Sequence, residues 1–432
     1  MAREEVDLLI ENANELITIR GGSQKPLLGE RMKNLGIIKG GSLAVHKGRI
    51  VDVGRRQEIK GRFKSKETLD ASGKVVMPGF VDPHTHLVFA GSRENEFEMR
   101  IQGFTYMEIL EKGGGILKTV RETRKASREE LLEACKKTLN IMLKHGTTTV
   151  EAKSGYGLTA SDEAKCLEVV KVLNEEHPVD IVPTFLGAHA VPPEHKNHPN
   201  EYVKLVTDEM IPIVARRKLA EFCDVFCEKG VFNVEQSKKI LLKGKEHGLM
   251  PKLHADEMTK LGGAELAAEV GAISADHLLF TPDNGIRSMA KQGVVAVLLP
   301  GASFTLMMGK YANVRKMIQR GVPVALGTDY NPSCWVESQQ IIIALACYQM
   351  RMTPAEAIAA ATINAAHAIN RAQEVGSLEP GKKADVIILN IPNHRFLGYR
   401  FGANLVDKVI KEGKLVVNGG RLLNFAQHRE RL

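Results

Sequence analysis

The middle of the chain repeats one pattern, in which a short apolar run is followed by a polar loop and by a stretch with helical periodicity. Short apolar runs of this kind predict strands that are buried on both faces, as in a parallel sheet. Helical stretches cover residues 128–145, 161–177 and 234–247, among others. The predicted strands cover residues 81–86, 147–152, 180–189, 224–228, 252–256, 273–277, 294–299 and 322–329.

Eight strands that alternate with helices predict an α/β protein, and specifically a (β/α)8 TIM-like barrel. Local signals agree with this interpretation. Ser127 precedes a helical stretch and is followed three residues later by Glu130, which is the pattern of a capping box. Gly146 follows the same stretch and Gly248 follows the stretch 234–247, at positions where glycine commonly ends a helix. A doubly wound open sheet is the alternative, but such a sheet normally has fewer strands.

Both ends of the chain show a different pattern, with short apolar or alternating runs separated by glycine-rich turns. This pattern predicts small β-structure. We therefore expect a small β-sandwich domain composed of both termini, with the barrel inserted between its two parts. The expected limits are 1–76 for the first part of the sandwich, 77–373 for the barrel and 374–432 for the second part.

Composition narrows the class of protein. Of 432 residues, 44% are hydrophobic and 25% are charged, as in folded globular proteins. The net charge of +8 is not concentrated in a basic cluster with interleaved aromatic residues, so nucleic-acid binding is not predicted. The sequence lacks a signal-peptide pattern and a long apolar run, so no membrane span is expected. Six cysteines without a CxxC pair indicate reduced thiols, as expected in the cytoplasm.

Polar side chains collect at the ends of the predicted strands, where a barrel of this kind carries its active site. The first strand ends in His84-Thr85-His86, and alternate residues of a strand point to the same side. These two histidines can therefore share one ion. The ends of later strands, with the residues that follow them, carry Tyr156, His189, His254, Glu257, His277, Asp329 and Asn331.

Three histidines and one carboxylate of this set predict a site for one divalent or trivalent metal ion, zinc or iron, because imidazole nitrogen and carboxylate oxygen bind both. Such an ion lowers the pKa of water towards neutrality and so supplies a nucleophile for hydrolysis. The predicted ligands are His84, His86, His254 and Asp329. The predicted catalytic, proton-handling residues are Glu257, His277 and Asp329 itself.

Longer segments are more specific than the ligands. They cover residues 89–97, 113–116, 153–158, 185–189, 254–257, 274–278 and 327–332. The histidine and aspartate motifs resemble the amidohydrolase superfamily, and the longer segments are similar to the imidazolonepropionases, the ring-opening hydrolases of histidine degradation. The resemblance covers nearly the whole chain.

The resemblance implies a small anionic substrate and assigns residues to it. Arg93 would pair with the propionate carboxylate through its planar guanidinium group. Tyr156 and His189 would contact the imidazolone ring or its carbonyl oxygen, and Glu257 would bond a ring nitrogen.

The loop after the last barrel strand is the second expected contact with substrate. Asn331, with the residues that follow it, would bind carboxylate groups of the product. Ser333 and Cys334 occupy positions where the family usually has glycine and then serine or threonine, so they depart from its pattern. Serine adds a side chain at a close approach, and cysteine replaces a strong hydrogen-bond donor by a weak one.

The implied reaction is hydrolysis of 4-imidazolone-5-propanoate to N-formimidoyl-L-glutamate by a cytoplasmic homodimer. One alternative is an aminohydrolase of a heterocyclic base, whose substrate lacks a carboxylate tail. Another is a barrel scaffold without catalytic activity. Some superfamily members also carry a carboxylated lysine that bridges two metals, for which Lys153 and Lys229 are candidates, although the sequence favours a single metal.

Overall fold

The N-terminal region forms β-structure, as predicted. The computed structural model describes residues 3–104, 108–109 and 112–424. One sheet has the strand order β5-β4-β1-β6, in which β1 is antiparallel to β4 and parallel to β6. The strands of this region are β1 (Glu4–Ala13), β2 (Glu15–Ile17), β3 (Ile37–Ile38), β4 (Gly41–His46), β5 (Arg49–Arg55), β6 (Phe63–Asp70) and β7 (Val75–Pro78).

The centre of the described chain is an eight-stranded parallel barrel, in which each strand pairs with its neighbours in sequence. Almost every residue of these strands is buried, which explains their nearly continuous apolar character. A bridge between Thr85 and Tyr330 brings together the segments that follow the first and last strands. The strands are β8 (Phe80–Asp82), β9 (Thr147–Lys153), β10 (Asp180–Ala188), β11 (Phe222–Cys227), β12 (Met250–Ala255), β13 (Ser274–His277), β14 (Val295–Leu298) and β15 (Val324–Leu326).

The C-terminal strands return to the N-terminal region and form a second sheet with it, in the order β19-β18-β17-β16-β7-β2-β3. An apolar core lies between the two sheets, where Leu43 and Val45 pack with Val386 and Ile388. The predicted architecture, a barrel with a β-domain built from both termini, is therefore confirmed. The returning strands are β16 (Val386–Leu389), β17 (Val406–Lys411), β18 (Lys414–Asn418) and β19 (Arg421–Leu422).

Helices cover the barrel strands and connect them. The predicted capping box is present, since Ser127 accepts from the Glu130 amide at the start of its helix. A 3-10 turn lies at Gly29–Lys33 and another at Pro193–His195, and a π turn lies at Val206–Met210. The α-helices span Arg56–Arg62, Glu94–Ile101, Ile116–Lys125, Arg128–Lys144, Ala160–Glu176, Pro199–Leu205, Ile211–Arg216, Val234–Glu246, Gly263–Val270, Asp283–Gln292, Pro300–Thr305, Val314–Gln319, Gln339–Met350, Pro354–Ala360, Ile363–Ala368 and Phe396–Tyr399.

The first and last barrel strands are shorter than predicted. β8 ends at Asp82 rather than continuing to residue 86, because Pro83 has no N–H group with which to extend the ladder. β15 ends at Leu326, and Asp329 beyond it adopts a left-handed backbone conformation with φ 52°. The histidine pair and the aspartate therefore lie on loops just beyond the strands.

The passage from the β-domain to the barrel takes place at Gly79, between β7 and β8. A side chain at this position would overlap the side chain of Thr148 on β9, so the close approach of this segment to β9 requires glycine. The domain limits 1–76, 77–373 and 374–432 stay predictions. Among the helices of residues 3–104, 108–109 and 112–424, none has the combination of length and apolar character that a membrane span requires.

Buried ion pairs join the β-domain to the end of the barrel opposite the predicted site. Asp180 begins β10, and its Oδ2 lies 2.7 Å from Lys411 Nζ and 2.9 Å from Lys383 Nζ. Lys411 also donates to Asp385 at 2.7 Å. Because Asp385 is only 3% exposed, its carboxylate depends on Lys411 for compensation.

We expect the variant Lys411→Met to unfold at lower urea concentration than the parent protein. It leaves two carboxylates without their shared cation, and breaking a buried pair in this way lowers the free energy of unfolding by about 3–5 kcal/mol. Lys66→Met is the control, because Lys66 pairs with Asp7 on the surface, where solvent screens the pair. Equal urea midpoints for the two variants would contradict a structural role for Lys411.

Candidate metal centre and active site

The four predicted metal ligands meet at the C-terminal mouth of the barrel. Nε2 of His84 lies 3.4 Å from Asp329 Oδ1, and Nε2 of His86 lies 3.5 Å from the same oxygen. Nε2 of His254, on β12, lies 3.4 Å from Nε2 of His86. All four side chains are buried. The barrel thus brings together residues that are up to 245 positions apart in the sequence.

These donor atoms fit a metal ion. Among the described residues, Nε2 of His84 is buried and has no hydrogen-bond partner. Burial also lowers the pKa of His84 and that of His86 well below its usual value, which keeps the rings neutral and their lone pairs available. Ligand atoms of His84, His86 and Asp329 lie within 4.8 Å of one another. Imidazole nitrogens and a carboxylate oxygen that converge in this way match the ligand requirements of a divalent metal ion.

Two aspartates behind the site orient the histidines. Asp276, on β13, lies 2.6 Å from His84 Nδ1. Asp224, on β11, lies 3.1 Å from His254 Nδ1 and also accepts from the backbone amide of His254. A carboxylate at Nδ1 holds the proton there and leaves Nε2 free to bind the metal. Neither role was predicted from the sequence, where the available signal was a charged residue within a buried strand.

The remaining titration shifts follow from burial and charge. Burial by itself would lower the pKa of His254, but the charge and hydrogen bond of Asp224 outweigh it and raise that pKa. Burial raises the pKa of Asp329 to about 7, although the charge of His254 acts against it. A bound cation favours neutral imidazole and ionised carboxylate, so we infer that metal binding releases protons and strengthens as the pH rises.

Lys153 is an ammonium group rather than a bridging carbamate. Its Nζ lies 2.7 Å from Asp224, 3.0 Å from Glu151 and 3.4 Å from Asp276. Three carboxylates would repel an anionic carbamate, whereas they raise the pKa of the amine against the opposing effect of burial. Lys229 is exposed. Neither lysine therefore supports a two-metal site, in agreement with the preference for one metal.

His277 and Glu257 lie beside the ligands. The distance between His277 Nε2 and Glu257 Oε2 is 3.6 Å, and a ligand atom of His277 lies within 4.8 Å of those of His84 and His254. Burial lowers the pKa of His277 well below its usual value, so this ring is also neutral. The pKa of Glu257, in contrast, is raised to about 8, mainly by burial and in addition by the negative charge of Asp329.

The backbone is strained around the site. Left-handed conformations occur at His277, with φ 74°, and at Leu278, with φ 64°. Asp256 and Asp329 are also left-handed, with φ 48° and 52°. Such conformations are uncommon for residues other than glycine and persist only where surrounding contacts enforce them. In this barrel they aim His277 and Asp329 into the mouth.

Aromatic rings form one wall beside the ligands. The ring of His189 stacks on that of His86, with 4.8 Å between centroids and 14° between planes. The Tyr156 ring lies 5.2 Å from His189 and 5.7 Å from His86. His189 Nδ1 lies 3.0 Å from the carbonyl oxygen of Gly155, and burial lowers the pKa of His189 to about 3. The neutral ring therefore donates from Nδ1 and leaves Nε2 as an acceptor.

Arg93 is held in place with one donor free. Its Nε donates to Thr119 at 2.9 Å, and its Nη1 donates to Ser333 at 2.8 Å. Its Nη2 is buried and has no hydrogen-bond partner among the residues that the structure describes. A buried donor without a partner is unfavourable unless a ligand satisfies it, so this group is suited to an anion. The hydroxyl of Ser333 orients the guanidinium group, a contact that the sequence did not reveal.

The other residues of the last loop have mainly local partners. Asn331 Oδ1 accepts from the amides of Ser333 and Cys334, and its Nδ2 donates to the carbonyl oxygen of Asp329. Cys334 is completely buried, and its Sγ lies 3.5 Å from the carbonyl oxygen of Thr328. The structure brings Ser333 to Arg93, whereas Asn331 and Cys334 shape the loop. Their expected contacts with substrate stay predictions.

A buried glutamate fixes the loop that carries Tyr156. Glu163 accepts hydrogen bonds from the amides of Gly155, Gly157 and Leu158, at 2.8–3.0 Å. Within the described part of the chain these amides have no backbone acceptor, so the carboxylate takes that place. Glu163 occupies an ordinary position of a helical stretch in the sequence, so this role could not be predicted from its position.

Known proteins include relatives that are similar in sequence over nearly the whole chain. The family described as "Amidohydrolase family" matches residues 75–416. An imidazolonepropionase of Geobacillus kaustophilus is 58% identical over 420 residues, which is 96% of this chain and 99% of the relative. An imidazolonepropionase of Brevibacillus brevis is 57% identical over 418 residues, with 96% and 98% of the two chains covered.

Solved structures with this fold are more distant in sequence. An adenosine deaminase of Xanthomonas campestris with bound zinc has a TM-score of 0.73 at 18% identity, over 98% of this chain and 95% of that one. An ochratoxinase of A. niger has a TM-score of 0.69 at 20% identity, over 96% and 97% of the two chains. At such low identity the likeness shows the fold alone.

We expect His254→Ala to lose bound metal and hydrolytic activity together, because it removes one of the converging nitrogens. Elemental analysis of the purified variant measures the metal. His247→Ala is the matched control, since His247 lies at the end of the helix Val234–Glu246, away from the donors. A His254→Ala protein with full metal content would show that the predicted ligand set is wrong.

Proposed function

This chain belongs to the amidohydrolase family and, within it, to the imidazolonepropionases, and on that premise we propose how its residues open the ring of 4-imidazolone-5-propanoate. The enzyme is a hydrolase that cleaves a C–N bond of a cyclic amide. One water is consumed: its oxygen joins the ring carbonyl carbon, the C–N bond breaks, and the nitrogen gains a proton. The product is N-formimidoyl-L-glutamate.

One observation carries the assignment of residues to this substrate, namely the free Nη2 of Arg93. A buried guanidinium donor supports recognition of a carboxylate, and the histidines that converge on a metal site support hydrolysis. Together they support a substrate that is a small molecule with both a carboxylate and a hydrolysable bond. We assign the propionate carboxylate to Arg93, since a charge-assisted hydrogen bond to this donor offsets the desolvation of both groups. Ser333 holds the guanidinium plane during this contact.

The metal would be held by His84, His86, His254 and Asp329. When bound, it supplies Lewis-acid polarisation and lowers the pKa of water towards neutrality. We propose zinc or iron, because three imidazole nitrogens and one carboxylate oxygen suit both ions. Elemental analysis decides between them.

Tyr156 and His189 have different tasks in this proposal. Burial raises the pKa of Tyr156, so its hydroxyl remains protonated and can donate to the carbonyl oxygen as negative charge develops there. His189 presents Nε2 as an acceptor, because its Nδ1 faces the carbonyl oxygen of Gly155 at 3.0 Å. We therefore assign His189 to a ring N–H group of the substrate, and Tyr156 to the oxyanion.

Proton transfer is assigned to His277, Asp329 and Glu257. Asp329 and the neutral His277 face the ligand cluster and accept the proton of the attacking water. Glu257, with a pKa raised to about 8, carries a proton at neutral pH. It donates this proton to the leaving ring nitrogen, so that the C–N bond breaks without expulsion of an unstable anion.

Some features of the proposal rest on the family resemblance alone. We propose that the enzyme is a homodimer that works in the cytoplasm, and that Asn331 and Cys334 line the product side of the site. Light scattering of the purified protein tests the dimer. The substrate is small and anionic, and nucleic acid and membranes have no role in the proposed reaction.

We expect Arg93→Ala to raise KM for the imidazolone roughly 10- to 100-fold, because it removes a charge-assisted hydrogen bond worth about 1.5–3 kcal/mol. Loss of imidazolone absorbance measures the rate. Arg93→Lys keeps the charge without the planar guanidinium group, so its KM should lie between those of the parent protein and Arg93→Ala. An unchanged KM in Arg93→Ala would refute the carboxylate role and favour a substrate without an acidic tail.

We expect kcat/KM to fall as the pH rises through about 8, because the pKa of Glu257 is raised to about 8 and only its protonated form donates. The Glu257→Gln variant cannot ionise at this position. Its pH profile should therefore lack the decline near pH 8, at a lower maximal rate. A decline that survives in Glu257→Gln would assign the ionisation to another group.

A further inference from the structure

We propose that Lys153 is a positioning residue of the metal centre, which acts by tying together the two aspartates that orient two of its histidine ligands. The inference rests on the metal dependence in the proposed function and goes beyond it. Lys153 is neither a predicted metal ligand nor a predicted substrate contact. Its position between Asp224 and Asp276 indicates a different role.

The connection runs through single atoms. Asp224 uses Oδ1 for His254 and Oδ2 for Lys153, at 3.1 Å and 2.7 Å. Asp276 uses Oδ2 for both His84 and Lys153, at 2.6 Å and 3.4 Å. One ammonium group thus contacts the acceptors of two ligands that come from opposite sides of the barrel mouth. Moving Nζ would disturb both at once.

Burial makes this contact strong. The side chains of Lys153, Asp224 and Asp276 have no exposed surface, so water neither screens their charges nor replaces their hydrogen bonds. Asp224 and Asp276 lie on β11 and β13, the two strands that flank β12, and without Lys153 their like charges would repel each other with less compensation. Each carboxylate would turn away, and the Nδ1 atoms of His84 and His254 would lose their fixed acceptors.

Lys252 provides a matched comparison within the same core. It is completely buried and lies 3.3 Å from Glu151, which Lys153 also contacts. Its other partner is the carbonyl oxygen of Ala368, at 3.0 Å. The described ion pairs of Lys252 do not include Asp224 or Asp276. The two lysines therefore share burial, charge and a common glutamate, but only one has ion pairs to the partners of the metal ligands.

The test is the dissociation constant for zinc, measured by competition with a chromophoric chelator on protein stripped of metal. We expect Lys153→Met to bind zinc about 10- to 100-fold more weakly than the parent protein, as for loss of outer partners of metal ligands. Lys252→Met should bind zinc within about threefold of the parent. Equal zinc affinity of Lys153→Met and the parent overturns the proposal, as does an equal loss in both variants.

A second variant guards against misfolding. Lys153→Met/Glu151→Gln removes one positive and one negative charge, so the buried core keeps its net charge while Asp224 and Asp276 still lose their link. This variant should fold, as judged by circular dichroism, and should bind zinc about as weakly as Lys153→Met. If it folds and regains full zinc affinity, Lys153 acts only through charge balance and the positioning role is wrong.

Cobalt gives a readout of geometry that a purely structural role would not change. The visible spectrum of the cobalt-loaded protein reports ligand arrangement, so Lys153→Met should shift its bands whereas Lys252→Met should not. Unshifted bands in Lys153→Met oppose the proposal. Both measurements omit the substrate, so failure of imidazolone hydrolysis would refute the proposed reaction without affecting the result for Lys153.

Discussion

Charges buried inside the barrel must compensate one another, because no exposed surface remains through which water could do so. Lys153 and Lys252 meet Glu151, Asp224 and Asp276 in the interior, and the metal ligands lie directly above them. Asp224 and Asp276 therefore have two tasks each, since each compensates the ammonium group of Lys153 and orients a histidine ligand. The geometry of the mouth follows from the electrostatics beneath it.

Much of this arrangement could be predicted from the sequence. Parallel strands buried on both faces are apolar, so their ends are visible as the points where His84, His254 or Asp329 interrupts an apolar run. The rule that barrel sites lie at these ends then groups distant residues. The resemblance to imidazolonepropionases added Arg93, and the relatives with 57% and 58% identity confirm that family.

The parts that could not be predicted depend on distances between strands. Asp224 lies between apolar neighbours, and only its 3.1 Å approach to His254 identifies its task. The task of Lys153 also depends on distances. Its sequence position is compatible with a carbamate, but the three carboxylates around its Nζ identify it as an ammonium group. The Ser333 hydroxyl shows the reverse case: it departs from the family pattern, and the structure shows that it contacts the buried fork of Arg93.

The left-handed residues at the mouth have a consequence for how this protein can change. His277, Leu278 and Asp329 hold conformations that glycine would adopt with less strain, by about 1–3 kcal/mol at each position. Selection for stability alone would therefore favour the loss of His277 and Asp329, the groups assigned to the chemistry, whereas selection for turnover keeps them. Stability and activity thus oppose each other at these positions of the barrel mouth.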